Sequence, residues 1–164
     1  MPVVWVEALV HPMHPHGYFA LVLTPAASAR LVEALATLPH AVAHHCTVVH
    51  GTRDPADLPD AFTPADVGGR FHLAVRGFAT RADGGVQAAV VALAGADGYP
   101  VARSFSRNRV PHVTVATDGA TGAAAANALL EAGFEPLDGP LLEVTLLHSD
   151  AWREAAESDA AEIG

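Results

Sequence analysis

Lysine is absent from this chain, and cysteine occurs only once, at Cys46. A lone cysteine excludes an internal disulfide framework and cannot by itself form a thiolate metal site. The longest apolar run, residues 86–96, is interrupted by Gln87 and Gly95 and is too short to span a bilayer. The first residues, MPVVWVEALV, have no basic stretch ahead of their apolar run, so we expect no secretory signal. These absences predict a soluble, cytoplasmic protein with no membrane partner, and we expect it to be a monomer.

The charge of the chain is unevenly distributed. The formal net charge is −9, and all nine basic residues are arginines. Residues 111–164 carry one arginine against ten acidic residues, whereas residues 51–110 carry seven arginines. Binding of long nucleic acid requires a basic stripe that neutralises phosphates, and this sequence has none, so we expect no extended nucleic-acid surface. The arginines of the middle segment are suited to holding one small phosphate.

Hydrophobic periodicity predicts a mixture of strands and helices. Thr24 as N-cap and Pro25 at the first helical position predict one helix, and Gly133 ends another. The segment 51–70 has no period and is rich in proline and glycine, which indicates a lid, a binding loop or a disordered excursion. Strands are predicted at 3–10, 18–23, 42–50, 70–82, 86–96, 111–117 and 139–149, with a hairpin turn at 83–85. This order predicts an α+β fold of two lobes whose sheets face each other across a cleft.

One four-residue motif, His-x-Thr-hydrophobic, occurs twice, beginning at His45 and at His112. Both copies lie in predicted strands, where side chains alternate between the two faces. His45 and Thr47 therefore share one face, as do His112 and Thr114, while the intervening apolar residues point towards the core. If the two polar faces meet, two imidazoles and two hydroxyls converge on one small volume.

That set of groups suits the hydrolysis of a phosphodiester without a metal. A neutral imidazole can take a proton from water while a protonated one donates a proton to the leaving oxygen, because an ordinary histidine pKa lies near neutrality. Threonine hydroxyls can donate hydrogen bonds to the non-bridging oxygens, where negative charge accumulates. Which histidine is the acid and which the base is left open by the sequence, since the two motifs are equivalent in pattern.

The paired motifs resemble those of the 2H phosphoesterase superfamily. The stretches "HHCTVVHG" and "PHVTVAT", with "NALL" downstream, are most similar to the cyclic phosphodiesterase domain of fungal-type tRNA ligases. The stretch "RVPHVTVA" is also similar to bacterial RNA 2′,3′-cyclic phosphodiesterases. The resemblance implies a bilobal α+β fold, with two antiparallel-sheet lobes flanked by helices around a central cleft. We expect one such domain over residues 1–150 and an acidic C-terminal tail over 151–164.

The same resemblance implies roles for the motif residues. His45 and His112 would be the acid/base pair, and Thr47 and Thr114 would hold the phosphate. The superfamily opens 2′,3′-cyclic phosphates, commonly leaving a 2′-phosphate. We expect this chain to need no cofactor or metal. The chain would thus be a standalone hydrolase whose partner is a small cyclic nucleotide or an RNA 3′ end. The acidity of the last third favours a mononucleotide or short oligonucleotide over polymeric RNA.

Three arginines are candidates for further substrate contacts. Arg107 and Arg109 directly precede the second motif, and Arg53 follows the first. Planar guanidinium groups match the geometry of phosphate oxygens. The neighbour of the first motif, His44, is expected to point to the face opposite His45 and to have no role.

Other functions remain open. The fold could be kept as a nucleotide- or RNA-binding module without turnover, or act on an ADP-ribose cyclic phosphate or a 2′–5′ linkage. The histidine-rich segments could also belong to a metal-dependent hydrolase. The histidines available for that role are His11, His14, His16, His44, His45 and His50.

Overall fold

The protein consists mainly of antiparallel strands in a computed structural model, which describes residues 16–122 and 124–152. The strands are β1 (Tyr18–Leu23), β2 (His40–Ala41), β3 (His45–His50), β4 (Arg70–Thr80), β5 (Val86–Ala94), β6 (His112–Thr117), β7 (Glu135–Pro136) and β8 (Leu141–His148). The helices are α1 (Pro25–Leu35) and α2 (Ala125–Ala132). Among these residues, no helix has the length and apolar character needed to cross a membrane. The strand expected at 3–10, and residues 153–164 of the expected tail, lie outside the described residues.

Six of the strands close into a barrel in which every pairing is antiparallel. Around the ring the order is β6, β3, β1, β8, β4 and β5, and β5 pairs with β6 to complete it. The short strands β2 and β7 extend the sheet beside β6 and β4. The expectation of a bilobal α+β fold with a central cleft is therefore wrong, because hydrogen bonds join all the strands into one continuous sheet.

The interior of the barrel is a filled hydrophobic core. Side chains alternate across each strand, so every second residue points inward, as in other small barrels. Each of the six strands contributes at least one fully or almost fully buried residue to this core. One such residue from each strand is Leu21, Val48, Leu73, Val91, Val113 and Leu146.

The two helices pack on different parts of the barrel. Helix α1 begins as the sequence predicts, with the Thr24 hydroxyl accepting a hydrogen bond from the Ala27 amide, and it buries Leu31 in the barrel core. Helix α2 ends at Gly133 and packs Leu130 against the outer face of β5. Neither helix flanks a separate lobe.

The predicted loop at 51–70 is packed against the barrel. It contains two short 3₁₀ turns, Pro55–Asp57 and Pro64–Asp66, and it buries Leu58 and Phe62 in the main core. The predicted hairpin is confirmed, since β4 and β5 pair along most of their length. The loop thus belongs to the body of the domain.

Candidate active site

The first motif lies on β3 with the alternation that its sequence predicts. Cys46 and Val48 are fully buried in the barrel core, whereas His45 and Thr47 point to the opposite face and are half-buried. Burial raises the pKa of the Cys46 thiol to about 12, so the thiol stays protonated near neutral pH. The groups of β3 that are available for chemistry are therefore His45 and Thr47 on its outer face, and not Cys46.

The second motif lies on β6 and is more deeply buried. Val113 and Val115 are in the barrel core, which confirms the predicted apolar face. His112 and Thr114 are 9% and 7% exposed. Their neighbours on β5 are Val90 and Ala88, respectively, so hydrocarbon lies beside the polar pair on one side.

The two motifs lie on adjacent strands of one sheet, and not on opposite walls of a cleft as expected. Cys46 pairs with Val113 across β3 and β6, and both face the core. The motif histidines and threonines consequently share the outer face. His45 and Thr47 flank Cys46 on β3, and His112 and Thr114 flank Val113 on β6, so the four polar side chains lie around this one pair.

The backbone is irregular where the first motif begins. The Ala43 amide donates to the carbonyl of Thr114 at 2.9 Å, while Cys46 pairs with the residue that precedes Thr114 on β6. His44 and His45 are therefore two extra residues on this side, a bulge of the kind that re-aims side chains. Ala43 has a positive φ of 37°, which breaks the alternation of the predicted 42–50 strand.

As a result, His44 and His45 face each other. Their Nδ1 atoms are 2.8 Å apart, and their rings are nearly perpendicular at 83°. The expectation that His44 points away from His45 is wrong, because the bulge removes the strand geometry on which it was based. Burial lowers the pKa of His44 to about 4.

The ring of His45 also contacts two aromatic side chains. Tyr18 on β1 lies 5.5 Å from it, and Trp152 lies 5.7 Å from it, both measured between ring centroids. Trp152 belongs to a helical turn that follows β8 and is only 4% exposed. Sequence reasoning considered Tyr18 as a core or base-stacking aromatic and assigned Trp152 to the acidic tail, so it missed the contact of Trp152 with His45, although a lone tryptophan in an acidic, alanine-rich segment is a signal of packing.

The imidazole of His112 is fixed by the backbone. Its Nδ1 lies 2.8 Å from the carbonyl oxygen of Val110. A carbonyl can only accept, so Nδ1 carries the proton and Nε2 of the neutral ring holds a lone pair. The pKa of His112 is lowered, chiefly by burial, and the bond to Val110 offsets part of that effect. A neutral ring with an open Nε2 is the form that a general base requires.

The three candidate arginines occupy different positions. The Arg107 amide donates to the carbonyl of Val48, and its guanidinium is exposed, so this residue lies beside β3 next to the motif. Arg109 has a side chain that is 83% exposed and 4.0 Å from Glu131 on α2. Arg53 lies past the end of β3 that is remote from His45, and its guanidinium pairs with Asp150 at 2.9 Å. The structure thus brings only the Arg107 backbone directly against the motif strand.

A loop fixes the approach to the second motif. The hydroxyl of Ser106 donates to the carbonyl of Thr47 at 2.8 Å, and the Asn108 amide donates back to that hydroxyl at 3.2 Å. These bonds hold the 106–108 turn against β3, just before the chain enters β6. The turn therefore forms one border of the candidate site.

The metal-dependent alternative requires several metal-ligating side chains that lie close together. Within 16–122 and 124–152, no group of three or more His, Cys, Asp or Glu side chains is placed to hold a metal ion. His11 and His14, which the alternative also involved, lie outside these ranges. The backbone carbonyl of His16 contacts Nε2 of His148 at 2.8 Å.

No known protein family and no curated protein matches this chain. The likeness to 2H phosphoesterases accordingly depends on the two motifs themselves.

Proposed function

We propose that this protein is a metal-independent phosphodiesterase that opens the 2′,3′-cyclic phosphate of a nucleotide or RNA end. The observation that carries the proposal is the pairing of Cys46 with Val113, because it brings both polar motif faces onto one side of adjacent strands. The likeness of the motifs to those of 2H phosphoesterases adds the substrate class. The proposal includes a cytoplasmic location and a monomeric state, both from the sequence.

The chemistry needs two proton transfers around one phosphorus atom. The oxygen of water bonds to phosphorus as the bond from phosphorus to O3′ breaks, and the 2′-phosphate ester remains. One imidazole takes a proton from the attacking water, and the other gives a proton to the departing O3′. His45 and His112 flank the Cys46–Val113 pair on neighbouring strands, which would let the two rings contact opposite sides of one phosphate.

The threonine hydroxyls can stabilise the negative charge that develops on the phosphate. Thr47 and Thr114 point to the same face as the histidines and can donate to the non-bridging oxygens. Negative charge grows on these oxygens as water attacks, so donors already in place lower the barrier. Arg107 is exposed, and its amide binds the carbonyl of Val48 next to Thr47, so its guanidinium would be available to a flanking phosphate and a short oligonucleotide would be acceptable as well as a mononucleotide.

The test is hydrolysis of nucleoside 2′,3′-cyclic phosphates in the presence of EDTA. We expect turnover by the wild type and a loss of about 10²–10⁴-fold in kcat/KM for His45→Ala and for His112→Ala. The matched control is His72→Ala, a half-buried histidine on β4 that lies outside the two motifs. Equal rates in the wild type and both motif variants would overturn the proposal, and abolition of turnover by EDTA would favour a metal-dependent hydrolase.

The burial of the second motif favours one alternative function. Because His112 and Thr114 are at most 9% exposed, a nucleotide could bind at the rim of the site without reaching both histidines. The protein would then be a nucleotide-binding module. Calorimetry with a 2′,3′-cyclic nucleotide would show affinity, and chromatography of the same mixture would show no product.

A further inference from the structure

The contact between His44 and His45 has a consequence for where protons sit. A neutral imidazole carries one ring proton, and a protonated imidazole carries two. When His45 is protonated, its Nδ1 bears a hydrogen, so the 2.8 Å contact is a hydrogen bond only if Nδ1 of His44 accepts. His44 can accept near pH 7, because burial lowers its pKa to about 4 and the ring stays neutral.

The two motif histidines therefore have different fixed partners. His112 donates from Nδ1 to the carbonyl of Val110, which leaves the lone pair on Nε2 of its neutral ring. Protonated His45 donates from Nδ1 to another imidazole, which leaves its second proton on Nε2. One ring is prepared to take a proton at Nε2, and the other is prepared to give one.

We propose that His44 is a positioning residue, which by accepting from Nδ1 of His45 directs the Nε2 proton of His45 to the leaving O3′ and makes His112 the base. This inference rests on the phosphodiesterase function proposed above. In the step, Nε2 of His112 takes the proton of the attacking water as the bond from phosphorus to O3′ breaks. Nε2 of His45 gives its proton to O3′, and both rings return to their starting states by exchange with solvent.

Other ionisable groups surround this pair and stay constant in the test. Trp152 packs against both His44 and His45 and carries no charge. Among the described residues, the ionisable groups on the elements packed here include Tyr18 from β1, Cys46 and His50 from β3, His112 from β6 and Asp150 from the turn after β8. A change at position 44 alone therefore reports on the contact between the two rings.

The experiment compares His44→Asn with His44→Leu. The asparagine carbonyl oxygen can take the place of the accepting nitrogen, whereas leucine fills the space without an acceptor. We expect His44→Leu to lose on the order of 10–100-fold in kcat/KM, as outer partners of functional histidines do, and His44→Asn to retain most of it. The alkaline limb of the pH profile should move to lower pH in His44→Leu only, and the acidic limb should stay in place.

A second readout does not depend on activity. Nitrogen-15 NMR of the histidine rings near pH 7 should show His44 neutral, with its proton on Nε2 and a lone pair on Nδ1. A proton on Nδ1 of His44, or the same pH profile in the leucine variant as in the wild type, would overturn the proposal. Should leucine prevent folding, the asparagine variant and the wild-type spectrum still decide.

The two readouts separate the two proposals. Turnover by the wild type together with a proton on Nδ1 of His44 rejects the positioning role alone. An accepting His44 in a protein that hydrolyses no cyclic phosphate rejects the phosphodiesterase and, with it, the catalytic part of the inference.

Discussion

The two copies of the motif are alike in sequence and differ in surroundings. His45 is half-buried between aromatic rings at a bulge, and its Nδ1 contacts another side chain. His112 is almost completely buried on β6, where it pairs with Val90 of β5, and its Nδ1 is bonded to the backbone. Two copies of one sequence motif can therefore have different roles. The hydrogen-bond partner of Nδ1 determines whether Nε2 of the same ring carries a proton or a lone pair.

The largest expected effect comes from replacing the bridging O3′ of the cyclic phosphate by sulfur. A thiolate leaves without being protonated, since a thiol is far more acidic than an alcohol, so the general acid becomes dispensable. We expect His45→Ala to recover to within about tenfold of the wild type on the sulfur substrate, after losing about 10²–10⁴-fold on the oxygen substrate. His112→Ala should stay impaired on both, as measured by kcat/KM.

Recovery of His112→Ala but not of His45→Ala would reverse the assignment. Equal recovery of both variants would show that the two motifs are not differentiated.

A smaller effect is expected from the threonines. Valine matches the shape of threonine but lacks the hydroxyl, so Thr114→Val should lose about 10²-fold in kcat, the cost of one donor to a developing oxyanion. Thr47→Val should lose less, because Thr47 is half-exposed and water can replace its hydroxyl. Steady-state kinetics of the two variants side by side measures the difference. A greater loss in Thr47→Val would contradict the ranking by burial.

The smallest expected effect is on stability and depends on pH. In the unfolded chain His44 protonates near pH 6.5, but in the folded protein it stays neutral until about pH 4. The unfolded state therefore binds more protons in this window, and the free energy of unfolding falls as the pH falls, by about 3 kcal/mol in total from His44. Urea denaturation at pH 7 and at pH 4.5 measures it.

The control for that measurement is His44→Asn, which lacks the titrating ring. Its free energy of unfolding should fall less between the two pH values than that of the wild type. An equal fall in both proteins would show that burial of His44 does not govern the acid sensitivity.

Individual strands and helices could be predicted from the sequence, whereas the pairing of the strands could not. Strand β1 follows from an apolar run of strand length and the start of α1 at Thr24 from capping, and both signals are encoded by neighbouring residues. The pairing of Cys46 with Val113 joins distant segments, and periodicity carries no information about partners or register. The pairing of β5 with β6, which closes the barrel, also joins distant segments, so the order of elements along the chain predicts two lobes where the structure has one barrel.

In the candidate site, too, local features were predictable from the sequence and long-range contacts were not. The face of each motif was predictable, because the apolar residues between His and Thr must be buried. The bulge after Ala43 was not, since alanine rarely adopts a positive φ and no glycine marks the position. The approach of Trp152 also depends on a chain reversal after β8 that no local pattern specifies.

The closed ring of strands has one mechanical consequence. Strand β6 is bonded to β5 on one side and to β2 and β3 on the other, so the described strands of the barrel have no seam along which two halves could move apart. Enzymes that close two domains around a ligand adjust the spacing of their reactive groups by that motion. In this protein the spacing is set by the pairing of the strands. The site would then select ligands by the size of the anion and by the side chains that border the outer face of β3 and β6.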